Sequence, residues 1–181
     1  MQQSAADTGS TAARRLVIMR HAKAEATAPS DHERALAPRG SADAEAAGRW
    51  LAEQGITPDL ALVSDALRTR QTWAQVAAGA GWDESAADFS EALYAAGSDS
   101  AFDLLRETDA EVTTLVVIGH NPTMAYVAEL VDDGEGDDDA TTAMVTRGFP
   151  TSALAVFTVA GPWSGVGPGT GRLEAFHVGG A

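Results

Sequence analysis

Short apolar runs, each closed by charged or small polar residues, alternate along this chain with segments of helical spacing. Leu16-Val17-Ile18-Met19 stops abruptly at Arg20-His21 and reads as a buried strand. Pro38 to Gln54 favours helix, with Ala47, Trp50 and Leu51 at helical spacing and Gly55 where a C-terminal cap belongs. Leu60 to Val63 predicts a second strand, and after Ser64 and Asp65 a helix runs from about Ala66 to Ala78, where Gly79 and Gly81 stop it. Leu93-Tyr94 ends a third strand or an extended loop. Asp99 caps a helix through Phe102, Leu105 and Arg106, and Thr114 to Ile118 forms the clearest strand. Pro122 is placed as the first residue of a helix reaching about Val131. Asp132 to Asp139 reads as a solvated acidic loop without the ligand order of a calcium site. Ala153 to Val159 and Leu173 to Val178 are two further strands around a Gly/Pro-rich turn region. Strands alternating with helices predict an α/β three-layer sandwich, a mostly parallel central sheet flanked by helices, with ligands beyond the carboxyl ends of its strands.

Composition narrows the classes that this architecture can serve. With 181 residues, 45% of them hydrophobic, the chain suits a single domain over 14–181 after a flexible tail over 1–13. The 26 acidic against 12 basic residues give a net charge of −14, which disfavours nucleic acid and anionic membranes as partners. An anionic substrate must then be held by a local cluster of positive groups. The chain has no cysteine, which removes disulfides and thiol nucleophiles and fits a reducing compartment. No apolar stretch is long enough to span a bilayer, and Met1 to Thr11 lacks the features of a secretory signal, so a cytoplasmic monomer is expected.

Two histidines occupy equivalent places, His21 after the first strand and His120 after the strand ending at Ile118, so both stand at one edge of the sheet. Arg20 adjoins the first, and Arg68 lies just beyond the strand ending at Val63. This is a phosphate pocket in outline, because the rigid fork of guanidinium donors matches phosphate oxygens.

Arg20-His21-Ala22 resembles the Arg-His-Gly signature of the histidine phosphatase superfamily, the phosphoglycerate mutase-like proteins. Ser64 to Thr72 (SDALRTRQT) resembles its S-x-x-x-R-T-x-Q-T segment, and Gly119-His120-Asn121-Pro122 its second-histidine motif. The length, and Asp31-x-x-Arg34-x-Leu36 followed by Gly40, look most like the SixA-type phosphohistidine phosphatases. The resemblance covers roughly Leu16 to Val159 and implies a covalent mechanism. His21 attacks phosphorus in line while Arg20, Arg68 and His120 hold the phosphoryl oxygens, and Arg34 matches a further phosphate-binding position. An imidazole is nucleophilic only when the attacking nitrogen is unprotonated, so the other nitrogen of His21 should donate to a backbone carbonyl, whereas His120 can be protonated and donate to phosphate.

The chain departs from the family where Ala22 replaces the usual glycine, where Lys23 follows it, and where Leu93 is followed by Tyr94 and Ala95 instead of a general-acid glutamate. Glu91, Asp31 or a water are the candidate proton donors. His32 and His177 are read as structural, and Trp50, Trp73 and Val76 as core. No metal or cofactor is expected, since no ligand spacing such as H-E-x-x-H occurs. Removal of phosphate from a phosphohistidine of a protein is the leading reading; a phosphomonoesterase acting on a small phosphate ester and a non-catalytic phospho-ligand module are the alternatives.

Overall fold

The computed structural model describes residues 13–180, so the tail expected over 1–13 lies, Ala13 excepted, outside the described residues. Six strands form one sheet: β1 (Arg14–Arg20), β2 (Leu60–Ser64), β3 (Ala87–Ser90), β4 (Thr114–Gly119), β5 (Ala153–Val159) and β6 (Gly171–Val178). Their order across the sheet is β3-β2-β4-β1-β5-β6. The first four of these run parallel, and β5 and β6 are antiparallel to their neighbours. Parallel strands need crossover connections, supplied by α1 (Pro38–Glu53), by α2 (Leu67–Ala80) and by α3 (Glu91–Ala95) with α4 (Ser98–Arg106), while α5 (Thr123–Val131) and α6 (Asp138–Arg147) lead from β4 to the antiparallel β5.

The unbroken apolar run of β1 follows from burial on both faces. Leu16 and Ile18 pack with Phe102, Leu105, Met124 and Val127 from α4 and α5, while Val17 and Met19 pack with Ala47, Leu51, Trp73 and Val76 from α1 and α2. The result is the expected three-layer sandwich with a mostly parallel sheet. Trp73 and Val76 are fully buried core residues, and Trp50 packs at the margin with its ring stacked on that of His177 at 4.5 Å. Among the described residues, no helix is long and apolar enough to cross a membrane.

Several local expectations are corrected. Leu93 and Tyr94 lie in α3 and do not end a strand; β3 precedes them, and Ser90 Oγ caps α3 by accepting from the Leu93 N–H at 3.0 Å. The acidic run is a loop only as far as Asp137, whose Oδ1 accepts from Ala140 N–H at 2.8 Å and starts α6. Asp138 and Asp139 then occupy its first turn, where the helix dipole favours carboxylates. Gly97 rather than Asp99 precedes α4, and Pro122 is the cap of α5 with Thr123 its first residue. Gly79 does not stop α2; the left-handed Gly81, with φ of 73°, does.

Gly79 has a different task, shared with Gly48. A Cβ at Gly79 would strike the Glu45 carbonyl, and one at Gly48 the Val76 carbonyl, so α1 and α2 meet backbone to backbone. Neither carbonyl can move aside like a flexible side chain. Gly48→Ala should therefore cost about 1–3 kcal/mol by overpacking. Gly165→Ala, whose Cβ meets nothing within 4 Å, should stay within about 0.5 kcal/mol of the parent. Urea unfolding of the two variants checks the contrast.

Candidate active site

In the parallel register, Arg20 at the end of β1 faces Gly119 at the end of β4, and the His21 N–H continues the ladder to the Gly119 carbonyl at 3.0 Å. Consequently His21 and His120 emerge side by side, their ring centroids 5.4 Å apart. The neighbouring strand β2 delivers Ser64 and, in the first turn of α2, Arg68. Both are buried, as is His21.

The two imidazoles are held in opposite tautomers. His21 Nδ1 lies 2.7 Å from the Ala22 carbonyl, an acceptor only, so Nδ1 carries the proton and the Nε2 lone pair is left for attack. At His120, Arg68 Nη2 donates to Nδ1 at 3.1 Å, so the proton is on Nε2, which donates to Ser64 Oγ at 2.7 Å. Burial pushes the His21 pKa down to about 4, with the cations of Arg68, Arg20 and Arg34 adding to it against the opposing bond to Ala22. Burial and then Arg68 push His120 down to about 3. Burial and the charged donor that Arg68 points at Nδ1 together favour the neutral ring at His120, and the protonated form expected for phosphate binding calls for an opposing anion.

The remaining residues of the S-x-x-x-R-T-x-Q-T segment brace this arrangement. Thr69 Oγ1 lies 2.7 Å from the Ser64 carbonyl and fixes the strand-to-helix turn. Gln71 Oε1 accepts from Leu36 N–H at 2.7 Å, tying down the loop that carries Asp31 and Arg34. Thr72 Oγ1 accepts from Ala22 N–H at 3.1 Å and donates to the Arg68 carbonyl at 2.7 Å, so one hydroxyl ties the backbone just after His21 to the backbone of Arg68. Arg20 Nη1 donates to the Phe149 carbonyl at 3.3 Å, which also accepts from Asn121 Nδ2 at 2.7 Å. Ala22 has a negative φ, so its Cβ is tolerated at the position where the Arg-His-Gly signature has glycine.

Asp31 joins the site as an anion. Its Oδ2 accepts from Arg68 Nη2 at 3.1 Å and from the Tyr94 hydroxyl at 2.7 Å, its Oδ1 accepts from Arg34 Nε at 3.1 Å, and its carbonyl accepts from Arg68 Nη1 at 2.8 Å. The hydrogen bond from Tyr94, followed by those from Arg68 and Arg34, holds its carboxyl well below the usual carboxylate range. Tyr94 is held correspondingly above the ordinary phenol value. Glu91, the other candidate acid, is an exposed first residue of α3 that makes no hydrogen bond to a site residue.

The structure thus brings together His21, Arg20, Arg68, His120 and Arg34, all named from the sequence. Ser64, sequence-legible only as a motif letter, turns out to orient His120, and Tyr94, noticed only as a break in spacing, seals Asp31. His32, read from the sequence as structural, pairs with Asp65 at 3.0 Å and packs edge-on against Tyr94 at 5.1 Å. His177 is structural, as expected, against Trp50. Among the described residues no group of three or more His, Asp or Glu side chains could hold a metal ion.

The superfamily profile "Histidine phosphatase superfamily (branch 1)" matches residues 16–96, and a Mycobacterium tuberculosis protein of uncharacterised function is 40% identical over 161 residues, 88% of this chain and 99% of that one. The chain belongs to the histidine phosphatase superfamily. A solved structure from Nakamurella multipartitia, described as a proposed phosphohistidine phosphatase SixA, is 31% identical, covers 94% of this chain and 98% of that one, and superposes with a TM-score of 0.78. The protein histidine phosphatase SixA complexed with tungstate is 27% identical with a TM-score of 0.69, covering 91% of this chain and 96% of that one. Within this histidine phosphatase fold His21 and His120 stand paired at the sheet edge.

The depressed histidine values make two checkable expectations. Ring titration followed by NMR should place His21 near pH 4 and His120 near pH 3 rather than at the ordinary 6.5, and a bound oxyanion should raise both by adding an opposite charge. Between about pH 6.5 and 4 the unfolded chain binds more protons than the folded one. These two rings therefore contribute their full share of stability above about pH 6.5 and lose it as the pH falls through that window. Unfolding curves at a series of pH values test that sign.

Proposed function

We propose that this histidine phosphatase removes the phosphoryl group from a phosphohistidine on another protein, passing it through a covalent phosphohistidine at His21 to water. The observation that carries this reading is the neutral His21 ring, its Nδ1–H fixed on the Ala22 carbonyl at 2.7 Å and its Nε2 free, set among arginines. Arg20 Nε and Arg68 Nε are buried donors with no acceptor within the protein, which suits a group that arrives with oxygens of its own. In this role His21 Nε2 attacks phosphorus, the guanidiniums neutralise the equatorial oxygens, and Ser64 and Thr72 keep the two rings and Arg68 in register.

A phosphohistidine suits the site better than an ester because the acid that an alkoxide would need is missing from the groups in contact. Asp31 is held ionised and Tyr94 is held protonated by it, so neither is poised to give up a proton. An imidazole leaves with far less help. The chain between Thr72 and β4 is also fully used by the end of α2, β3, α3 and α4, so no added segment walls the crevice, and a protein-borne group can reach it. A surface groove of about 500 Å³ bordered by Ala26, Pro29, Asp31 and Arg34 extends the approach. Lys23 and Arg39 border a neighbouring groove together with Arg147, offering local positive charge on an acidic protein. The SixA crystallised with tungstate shows that a relative accepts a tetrahedral oxyanion.

Rapid quenching with labelled phosphohistidine protein should yield acid-labile label on His21, and label on His120 or a serine would overturn the assignment. Comparison of kcat/KM should favour the phosphohistidine protein over phosphoserine peptides, sugar phosphates and nucleotides. A tenfold preference for a metabolite ester would replace this reading by the phosphomonoesterase one. Arg68→Ala should lower kcat/KM by ~100-fold or more, Arg34→Ala by much less, and Arg68→Lys should rescue poorly because a point charge cannot satisfy the Asp31 carbonyl, its carboxylate and His120 together.

A further inference from the structure

We propose that Asp31 selects the leaving group: its carboxylate accepts the distal N–H of a protonated phosphoimidazole, so that the substrate ring departs as neutral imidazole without any proton transfer. This rests on the phosphohistidine reading above and names the residue that enforces it.

A carboxylate offers about four lone-pair sites, and three of those of Asp31 are taken. Oδ2 receives Arg68 Nη2 and the Tyr94 hydroxyl, and Oδ1 receives only Arg34 Nε. One acceptor position on Oδ1 is therefore left, on a side chain that is 55% exposed. Through Arg68 the carboxylate stands one guanidinium away from His120, and its exposure leaves Oδ1 open to a group that arrives from solvent. Clamped by three donors it stays charged, as a partner for an imidazolium requires and a general acid forbids.

Protons and electrons balance without a further reactant. The lone pair of His21 Nε2 forms the new P–N bond, and the bond from phosphorus to the substrate nitrogen breaks with its electron pair staying on that nitrogen. The substrate ring entered with a proton on its distal nitrogen and a formal positive charge, and it leaves with the same proton as a neutral ring. His21 undergoes the mirror change: its Nδ1–H, held by the Ala22 carbonyl at 2.7 Å, becomes the N–H of a phosphoimidazolium. Asp31 thus does for the incoming ring what the Ala22 carbonyl does for the nucleophile. An aryl or alkyl phosphate has no such N–H and meets only the negative charge.

The test compares Asp31→Asn with the parent enzyme on phosphoimidazole and on p-nitrophenyl phosphate, whose leaving group needs no proton. If Asp31 only braced Arg68, both substrates would suffer alike. The proposal expects kcat/KM for phosphoimidazole to fall at least tenfold further than that for p-nitrophenyl phosphate. It also expects the alkaline limb of kcat for phosphoimidazole to move to lower pH in the variant, because the carboxylate that raises the pKa of the bound ring is gone. Equal losses with an unmoved limb would overturn it and leave Asp31 as a positioning residue. Failure of the parent enzyme to turn over both phosphoimidazole and a phosphohistidine protein would instead overturn the function reading, and this inference with it.

Discussion

The parallel register of β1 on β4, which sets Arg20 opposite Gly119, determines where both histidines stand. Because both strands are buried on two faces, a slip by one residue would exchange every core side chain between layers, and packing on either side forbids it. The histidines need no loop of their own to converge. Each is the first residue past a strand whose end the core has already placed, which is the kind of rigid support that reacting groups 5.4 Å apart require.

Placing cations in a buried pocket is costly unless each has a partner, and the site resolves this with unequal partners. Arg68 is shared between Asp31 and His120, Arg34 leans on Asp31 and the Glu25 carbonyl, and Arg20 reaches only the Phe149 carbonyl. Positive potential therefore survives next to His21 although the whole chain carries a charge of −14. The same potential adds to burial in keeping the imidazoles unprotonated. One set of arginines can thereby both attract an anion and help to keep the His21 ring neutral.

Much of this was legible before any coordinates, and the reason is physical. Strands buried on both faces announce themselves as apolar runs, so β1, β4 and β5 were readable to within a residue or two, and the residues just past them became the site. What stayed hidden depended on contacts across distance. Asp88 makes β3 look unlike a buried strand, and a cap by Ser90 turned Leu93 and Tyr94 into helix. Tyr94 reaches Asp31 across 63 positions of sequence, a pairing that no local pattern encodes. The contact of His32 with Asp65, 33 positions away on another loop, is hidden in the same way. The tautomer of His120 is hidden for the same reason: Arg68 reads from the sequence as a phosphate ligand and not as the donor that fills Nδ1.

The opposite tautomers carry the argument one step further. A ring whose Nδ1–H faces a carbonyl can gain a bond at Nε2 and keep its proton, whereas a ring whose Nδ1 accepts from a guanidinium and whose Nε2–H faces a hydroxyl has no lone pair left to attack with. The two histidines are therefore not interchangeable, although the fold relates them closely. His120 becomes reactive only if Arg68 withdraws, and Arg68 is held on its far side by both the carbonyl and the carboxylate of Asp31. Asp31 thus helps to hold the tautomer of the second histidine through Arg68, so under the proposed mechanism loss of that carboxylate would touch both the choice of nucleophile and the choice of leaving group.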